Sequence, residues 1–228
     1  MNKTPRHADM MIKVCGMRNP ENIALTASLM PMLMGFVFHS ASPRDASGLA
    51  PEAVRSLPDF IRPVAVTVDM DPTELLSLCR RYGIKIVQLH GSESPELCKA
   101  LKNEGLTVFK AFNLSKSDAL AQASEYVGAA DLFVFDSGTG GSGEKFDWSV
   151  LESYDLPTPY LLSGGIGPDD VDAVVASMRP GMAGIDINSR FESAPGLKDL
   201  NLLINFILKL RLFNECEPIT TPFWEKEG

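Results

Sequence analysis

Short β-branched and apolar runs alternate with stretches of helical periodicity along almost the whole chain, and eight such runs can be counted. They fall at residues 12–14, 33–38, 64–68, 85–89, 107–111, 132–135, 159–162 and 183–187. Between them, 72–81, 95–103, 116–125 and 168–177 carry helical spacing, and several of these open on Pro or Asp, residues suited to a helix's first turn. Strands that read as nearly continuous apolar runs, each followed by a helix, imply a parallel sheet covered on its outer face. Eight β-then-α units in about 200 residues match a closed (β/α)8 barrel, the TIM barrel of the α/β class. An open doubly wound sheet is the rival, and strand count alone does not exclude it.

No Ser/Gly linker, repeat or low-complexity tract divides the 228 residues, so one domain is expected. Its limits read as 12–210, with an N-terminal extension at 1–11 and a C-terminal tail at 211–228. The formal net charge of -8, from 21 Lys+Arg against 29 Asp+Glu, argues against a nucleic-acid or anionic-membrane surface. Any phosphate must then be held locally, by backbone N–H groups or a single cation. Residues 1–9 lack an apolar signal core, and the apolar stretch 29–38 is broken by Pro31 and Gly35 and too short to span a bilayer. Cys15, Cys79, Cys98 and Cys216 show no metal-ligand spacing with the three histidines. These features point to a reduced cytoplasmic setting.

In a barrel of this kind chemistry sits at the carboxyl ends of strands. Cys15-Gly16 follows the first strand, where a thiol beside a residue without Cβ can meet a ligand; the plainer reading is a small core hydrophobe, taken for Cys79 and Cys98 inside helices. Asp136 ends the sixth strand and opens a loop with Gly138, Gly140, Gly141 and Gly143. A carboxyl in such a position is partly desolvated, which favours the protonated form a general acid needs; a turn-capping carboxylate is the alternative. Ser163-Gly164-Gly165 after strand seven and Asn188-Ser189 after strand eight together form a candidate phosphate cradle, with helix-terminal N–H groups. Arg44 has the planar fork to clamp a carboxylate, though a lone loop arginine is commonly a solvated charge. Gln88 and His90 close strand four. Lys110 is the one lysine placed to form a Schiff base, against a bland reading in which its stem packs and its ammonium meets a carboxylate.

The ordered set Lys13-Val14-Cys15-Gly16-Met17, Gly35-Phe36-Val37-Phe38, Ser42-Pro43-Arg44, Gln88-Leu89-His90-Gly91, Asp136 with Gly140 to Gly143, Phe146-Asp147-Trp148, Ser163-Gly164-Gly165-Ile166, Gly184 to Ser189, Glu192 and Pro195 to Asp199 resembles phosphoribosylanthranilate isomerases. The resemblance covers residues 12 to about 207. It implies an Amadori rearrangement of N-(5'-phosphoribosyl)anthranilate to its carboxyphenylamino-deoxyribulose phosphate, in tryptophan biosynthesis, with no metal or cofactor. It implies Cys15 as general base and Asp136 as general acid. Arg44 would meet the anthranilate carboxylate; Gly164, Gly165, Asn188 and Ser189 the phosphate; Gln88, His90 and Asp186 would be further contacts. The partner is a phosphorylated aminosugar, and the chain a monomer or homodimer. Arg190 replaces a glycine common in the family at the phosphate rim, and Thr67 a plain aliphatic in strand three. Two other readings are a Schiff-base aldolase or lyase using Lys110, and a phosphosugar-binding barrel without turnover.

Overall fold

Strands whose side chains are apolar on both faces can be stable only if both faces are covered, and here the sheet covers one of them by closing on itself. A computed structural model of the chain describes residues 10–114, 118–137 and 147–214. The strands are β1 (Met11–Val14), β2 (Leu33–Val37), β3 (Arg62–Thr67), β4 (Ile86–Leu89), β5 (Thr107–Asn113), β6 (Leu132–Asp136), β7 (Tyr160–Leu162) and β8 (Met182–Ile187). They form one closed barrel in sequence order, all pairs parallel. The seam pairs β1 with β8 and sets Lys13 opposite Asp186. The closed barrel excludes the open doubly wound sheet.

Helices α1 (Pro20–Ala27), α2 (Pro51–Arg55), α3 (Pro72–Tyr82), α4 (Pro95–Asn103), α5 (Ala119–Ser124), α6 (Val171–Ala176) and α7 (Leu200–Asn214) connect and cover the strands. After β6 the covering element is a 3-10 turn, Trp148–Ser153. The first four helices each begin on a proline, whose missing N–H is one the first turn leaves unbonded anyway. Asn19, Asp71 and Ser94 cap three of them by accepting first-turn N–H groups. Between β8 and α7 lies a hairpin of β9 (Glu192–Ala194) and β10 (Leu197–Lys198).

The core has two parts. Outward-facing strand residues such as Val14, Phe36, Val87, Phe133 and Ile185 pack against the helices, together with Cys79 and Cys98. Inward-facing ones, including Met11, Cys15, Leu33, Val64, Val66, Phe109, Val134 and Leu161, fill the barrel. The ordered fold extends past residue 210: α7 runs to Asn214, and Arg211 donates to the carbonyls of Leu29 and Met30 at 2.9 and 2.8 Å. Residues 1–9, 215–228 (with Cys216), Lys116 and the glycine-rich loop 138–146 lie outside the described residues. Among the described residues no helix is long and apolar enough to cross a membrane.

Candidate active site

Side chains alternate across a strand, so residues two apart share a face. Once Cys15 and Val134 point inward, Lys13 on β1 and Asp136 on β6 do as well. The same period carries Gln88 and His90 at the end of β4, and Asp186 and Asn188 at the end of β8, toward the barrel axis. A cavity of about 400 Å³ opens at this end, a volume suited to a small ligand. Cys15, Arg44, Gln88, His90, Asp136, Gly164, Gly165, Asp186, Asn188 and Ser189 all line it. The residues singled out from the sequence for the isomerase site are thus brought to one mouth. Lys110 is not: it points to the outer face, donates to the carbonyls of Leu89 and Gly91, and pairs with Glu93 at 3.2 Å. That removes it as a Schiff-base residue for this cavity and matches its bland reading.

Cys15 is buried, and Gly35 on the neighbouring strand makes room for it, since a Cβ at Gly35 would sit 2.6 Å from Sγ. Burial pushes the thiol up; the Lys13 ammonium opposes this, Asp186 adds to it, and Lys198 opposes it again, with the balance remaining upward. Across the mouth, Asp136 accepts the Ser137 N–H on Oδ1 at 2.7 Å and turns Oδ2 toward His90 Nε2 at 3.6 Å. Burial pushes the His90 imidazole down by more than the Asp136 carboxylate raises it, so the ring is neutral near pH 7.

Beneath the mouth, Lys13 is fully buried and donates to Asp186 Oδ2 and Gln88 Oε1, both at 2.7 Å. Burial opposes its charge, but Asp186 and Cys15 outweigh burial and hold the ammonium above its ordinary range. The second Asp186 oxygen, Oδ1, is buried and has no hydrogen-bond partner among the described residues; an orphan acceptor at the cavity wall is suited to a ligand hydroxyl.

Arg44 is held rather than solvated. Its Nε and Nη2 fork onto Glu192 at 3.0 and 2.7 Å, and Lys198 Nζ meets the other Glu192 oxygen at 2.7 Å while donating to Asn188 Oδ1 at 2.7 Å. Burial works against the Glu192 charge, but these two cations outweigh it and hold the carboxyl below its usual range. The clamp uses two of the five guanidinium N–H groups, leaving three for a ligand carboxylate. Opposite lie Gly164 and Gly165, at φ +78° and +71°, a region costly for other residues. Helix α6 starts only at Val171, so the expected helix-terminal N–H groups are replaced here by loop amides. Asn188, Ser189 and Arg190 line the same cavity.

Sequence reasoning missed Lys13, Glu192, Lys198 and Gly35 as site residues. Lys13 had a usable signal, a charge at period two from Cys15 inside an apolar strand. Glu192 and Lys198 stood among the residues that carry the family resemblance, but their hairpin was not read as paired strands and so gave them no role.

The family model for N-(5'-phosphoribosyl)anthranilate (PRA) isomerase matches residues 12–209. The chain belongs to the phosphoribosylanthranilate isomerase family. It is 41% identical to the N-(5'-phosphoribosyl)anthranilate isomerase of Parabacteroides distasonis, over 88% of this chain and 93% of that one. A relative from Phocaeicola vulgatus is 41% identical over 89% and 98%. Among solved structures, the Thermotoga maritima isomerase superposes with a TM-score of 0.81 at 32% identity, over 89% of this chain and 98% of that one. A phosphoribosyl anthranilate isomerase in complex with reduced 1-(o-carboxyphenylamino)-1-deoxyribulose 5-phosphate superposes with a TM-score of 0.76 at 29% identity, over 89% and 98%. Members of the family are isomerases of tryptophan biosynthesis, and this chain is one of them.

Proposed function

We propose that this family member converts N-(5'-phosphoribosyl)anthranilate to 1-(o-carboxyphenylamino)-1-deoxyribulose 5-phosphate, with Asp136 as general acid and Cys15 as general base. The observation that carries this reading is the placement of one thiol and one carboxyl on facing strands above a single cavity with an anion cradle at its edge.

Protonated Asp136 gives its proton to the furanose ring oxygen as the C1'–O bond breaks, and the anilino nitrogen lone pair forms the C1'=N bond. The resulting iminium acidifies the C2' proton, which the Cys15 thiolate removes; the electrons of that C–H bond form C1'=C2' and the C=N pair returns to nitrogen. Ketonisation of this enolamine adds a proton at C1' from the Cys15 thiol. The C2' hydroxyl loses its own proton, which restores Asp136. Positive charge is made and consumed inside the substrate, so the chemistry asks for one acid and one base.

Arg44 meets the anthranilate carboxylate with the three donors that Glu192 leaves. Loop amides around Gly164, Gly165 and Ser189, with Asn188, hold the phosphate. The unpaired Asp186 Oδ1 takes a substrate hydroxyl, and Gln88 and His90 complete the wall. The free thiols of Cys15, Cys79 and Cys98 suit a reduced cytoplasm.

The test follows the loss of substrate fluorescence with purified protein. Wild type turns the substrate over, and Cys15→Ser and Asp136→Asn each lose at least about 10²-fold in kcat, the lower range for general acid–base groups. Near-wild-type turnover by either variant would remove the mechanism.

A further inference from the structure

We infer that Lys13, which does not itself line the cavity, is the positioning residue of this site: its ammonium fixes the direction of hydrogen bonding from Gln88 through His90 toward Asp136 and sets a positive charge beside the Cys15 sulfur. The inference rests on the acid and base roles proposed above and adds what holds both groups in their working states.

The argument starts from a donor inventory. An ammonium has three N–H groups and no acceptor, so the atom of Gln88 that lies 2.7 Å from Lys13 Nζ must be the oxygen. The Gln88 amide NH2 is thereby turned away from Lys13, and it lies 3.4 Å from His90 Nδ1. An amide N–H pointing at a ring nitrogen requires a lone pair there. In a neutral imidazole the proton must then be on Nε2, the nitrogen that faces Asp136 Oδ2 at 3.6 Å. His90 therefore presents an N–H, not a lone pair, to the carboxyl. That arrangement steadies Asp136 each time it becomes a carboxylate after donating its proton. Without Lys13 the Gln88 amide is free to flip, and the tautomer is no longer dictated.

The same ammonium addresses the second group. Cys15 follows Lys13 by two residues on the same face of β1, which sets the Lys13 charge to act on the thiol. The ionisable groups around the thiol are Lys13 on its own strand, Asp186 on β8, Lys198 on β10, Arg44 from the loop after β2, and His90 and Asp136 across the mouth. Of the charges acting on the thiol, Lys13 is the strongest. A buried thiol is a poor thiolate unless a cation stands beside it, and Lys13 is held in place by its Asp186 bond.

Two variants test this without relying on turnover. Lys13→Met removes the donor; Lys13→Gln substitutes an amide that can present an oxygen. Iodoacetamide alkylation of Cys15, followed by peptide mass spectrometry across pH, reads the thiolate midpoint. The midpoint rises by about one to two pH units in both variants, the range for losing a nearby opposite charge. Nitrogen-15 NMR of histidine-labelled protein, with His90→Asn to assign the signal, shows the Nε2–H tautomer in wild type and a mixture in the variants. If both single variants fail to fold, Lys13→Met/Asp186→Leu removes the buried charges together and gives the same two readouts, the thiol midpoint still rising because Lys13 acts on it more strongly than Asp186 does. Either readout unchanged from wild type overturns the inference. Because neither depends on catalysis, the inference can fail while Cys15→Ser and Asp136→Asn remain inactive, or survive if one of them proves active.

Discussion

An arginine whose guanidinium is already forked onto a carboxylate has a fixed plane, and that plane is what a second carboxylate recognises. Glu192 fixes Arg44 in this way and is itself shared with Lys198. Glu192→Gln leaves two buried cations without an anion, so it destabilises the fold by about 3 kcal/mol or more and raises KM for the substrate more than it lowers kcat. The pH dependence has a definite sign. A carboxyl held below its unfolded value contributes stability above that unfolded value, and the contribution is lost as pH falls through the folded value. Thermal unfolding therefore shows a constant gap between wild type and Glu192→Gln from neutral pH to about 5, closing below the ordinary glutamate value of about 4.3. A gap that widens on acidification contradicts the clamp. Cys15 and Asp136 were legible in the sequence because each directly follows or ends a strand, Arg44 because it lies in the loop after β2, and Asp186 only through the family resemblance. The clamp and the Lys13 pair were not, because their partners are 148 and 173 residues apart and one-dimensional spacing says nothing about closure.

Strand alternation does most of the placing. Eight of the nine elements that matter to the mouth, the barrel strands, were legible as short apolar runs, because a strand buried on both faces is mostly apolar and carries only isolated polar residues such as Lys13, Gln88 and Lys110. The ninth, the β9–β10 hairpin, was not, since four of its five strand residues are exposed or half-buried and the fifth, buried one is the charged Lys198, so no apolar run marks it. Helix α6 is shorter than its periodicity implied: Asp170 accepts the Gly167 N–H at 2.6 Å and holds the preceding residues in a turn. The contact between β1 and β2 supplies a test of how tightly the thiol is seated. Gly35→Ala places a methyl group 2.6 Å from Cys15 Sγ, which the barrel interior can absorb only by moving the sulfur. The variant loses about 1–3 kcal/mol of stability from overpacking and at least about tenfold in kcat, since a displacement near 1 Å is costly for positioned groups. Wild-type turnover by Gly35→Ala would show that the sulfur's position is not critical.

Closure of the barrel makes β1 the neighbour of β8, and it is this, more than any local motif, that converts residues scattered over the chain into one site. Cys15, Asp136 and the two halves of the proposed anion cradle come from strands one, six, seven and eight, and each needs the others' distances fixed by the ring of strand pairs. The most direct measurement is a crystal structure of this protein with reduced 1-(o-carboxyphenylamino)-1-deoxyribulose 5-phosphate. It should show the phosphate on the amides of Gly164, Gly165 and Ser189 and the carboxylate on Arg44. The sugar C2 should lie within about 4 Å of Cys15 Sγ, close to near-attack distance, with Asp136 beside the hydroxyl that derives from the ring oxygen. A phosphate seated elsewhere, or a C2 turned away from the sulfur, would contradict the account.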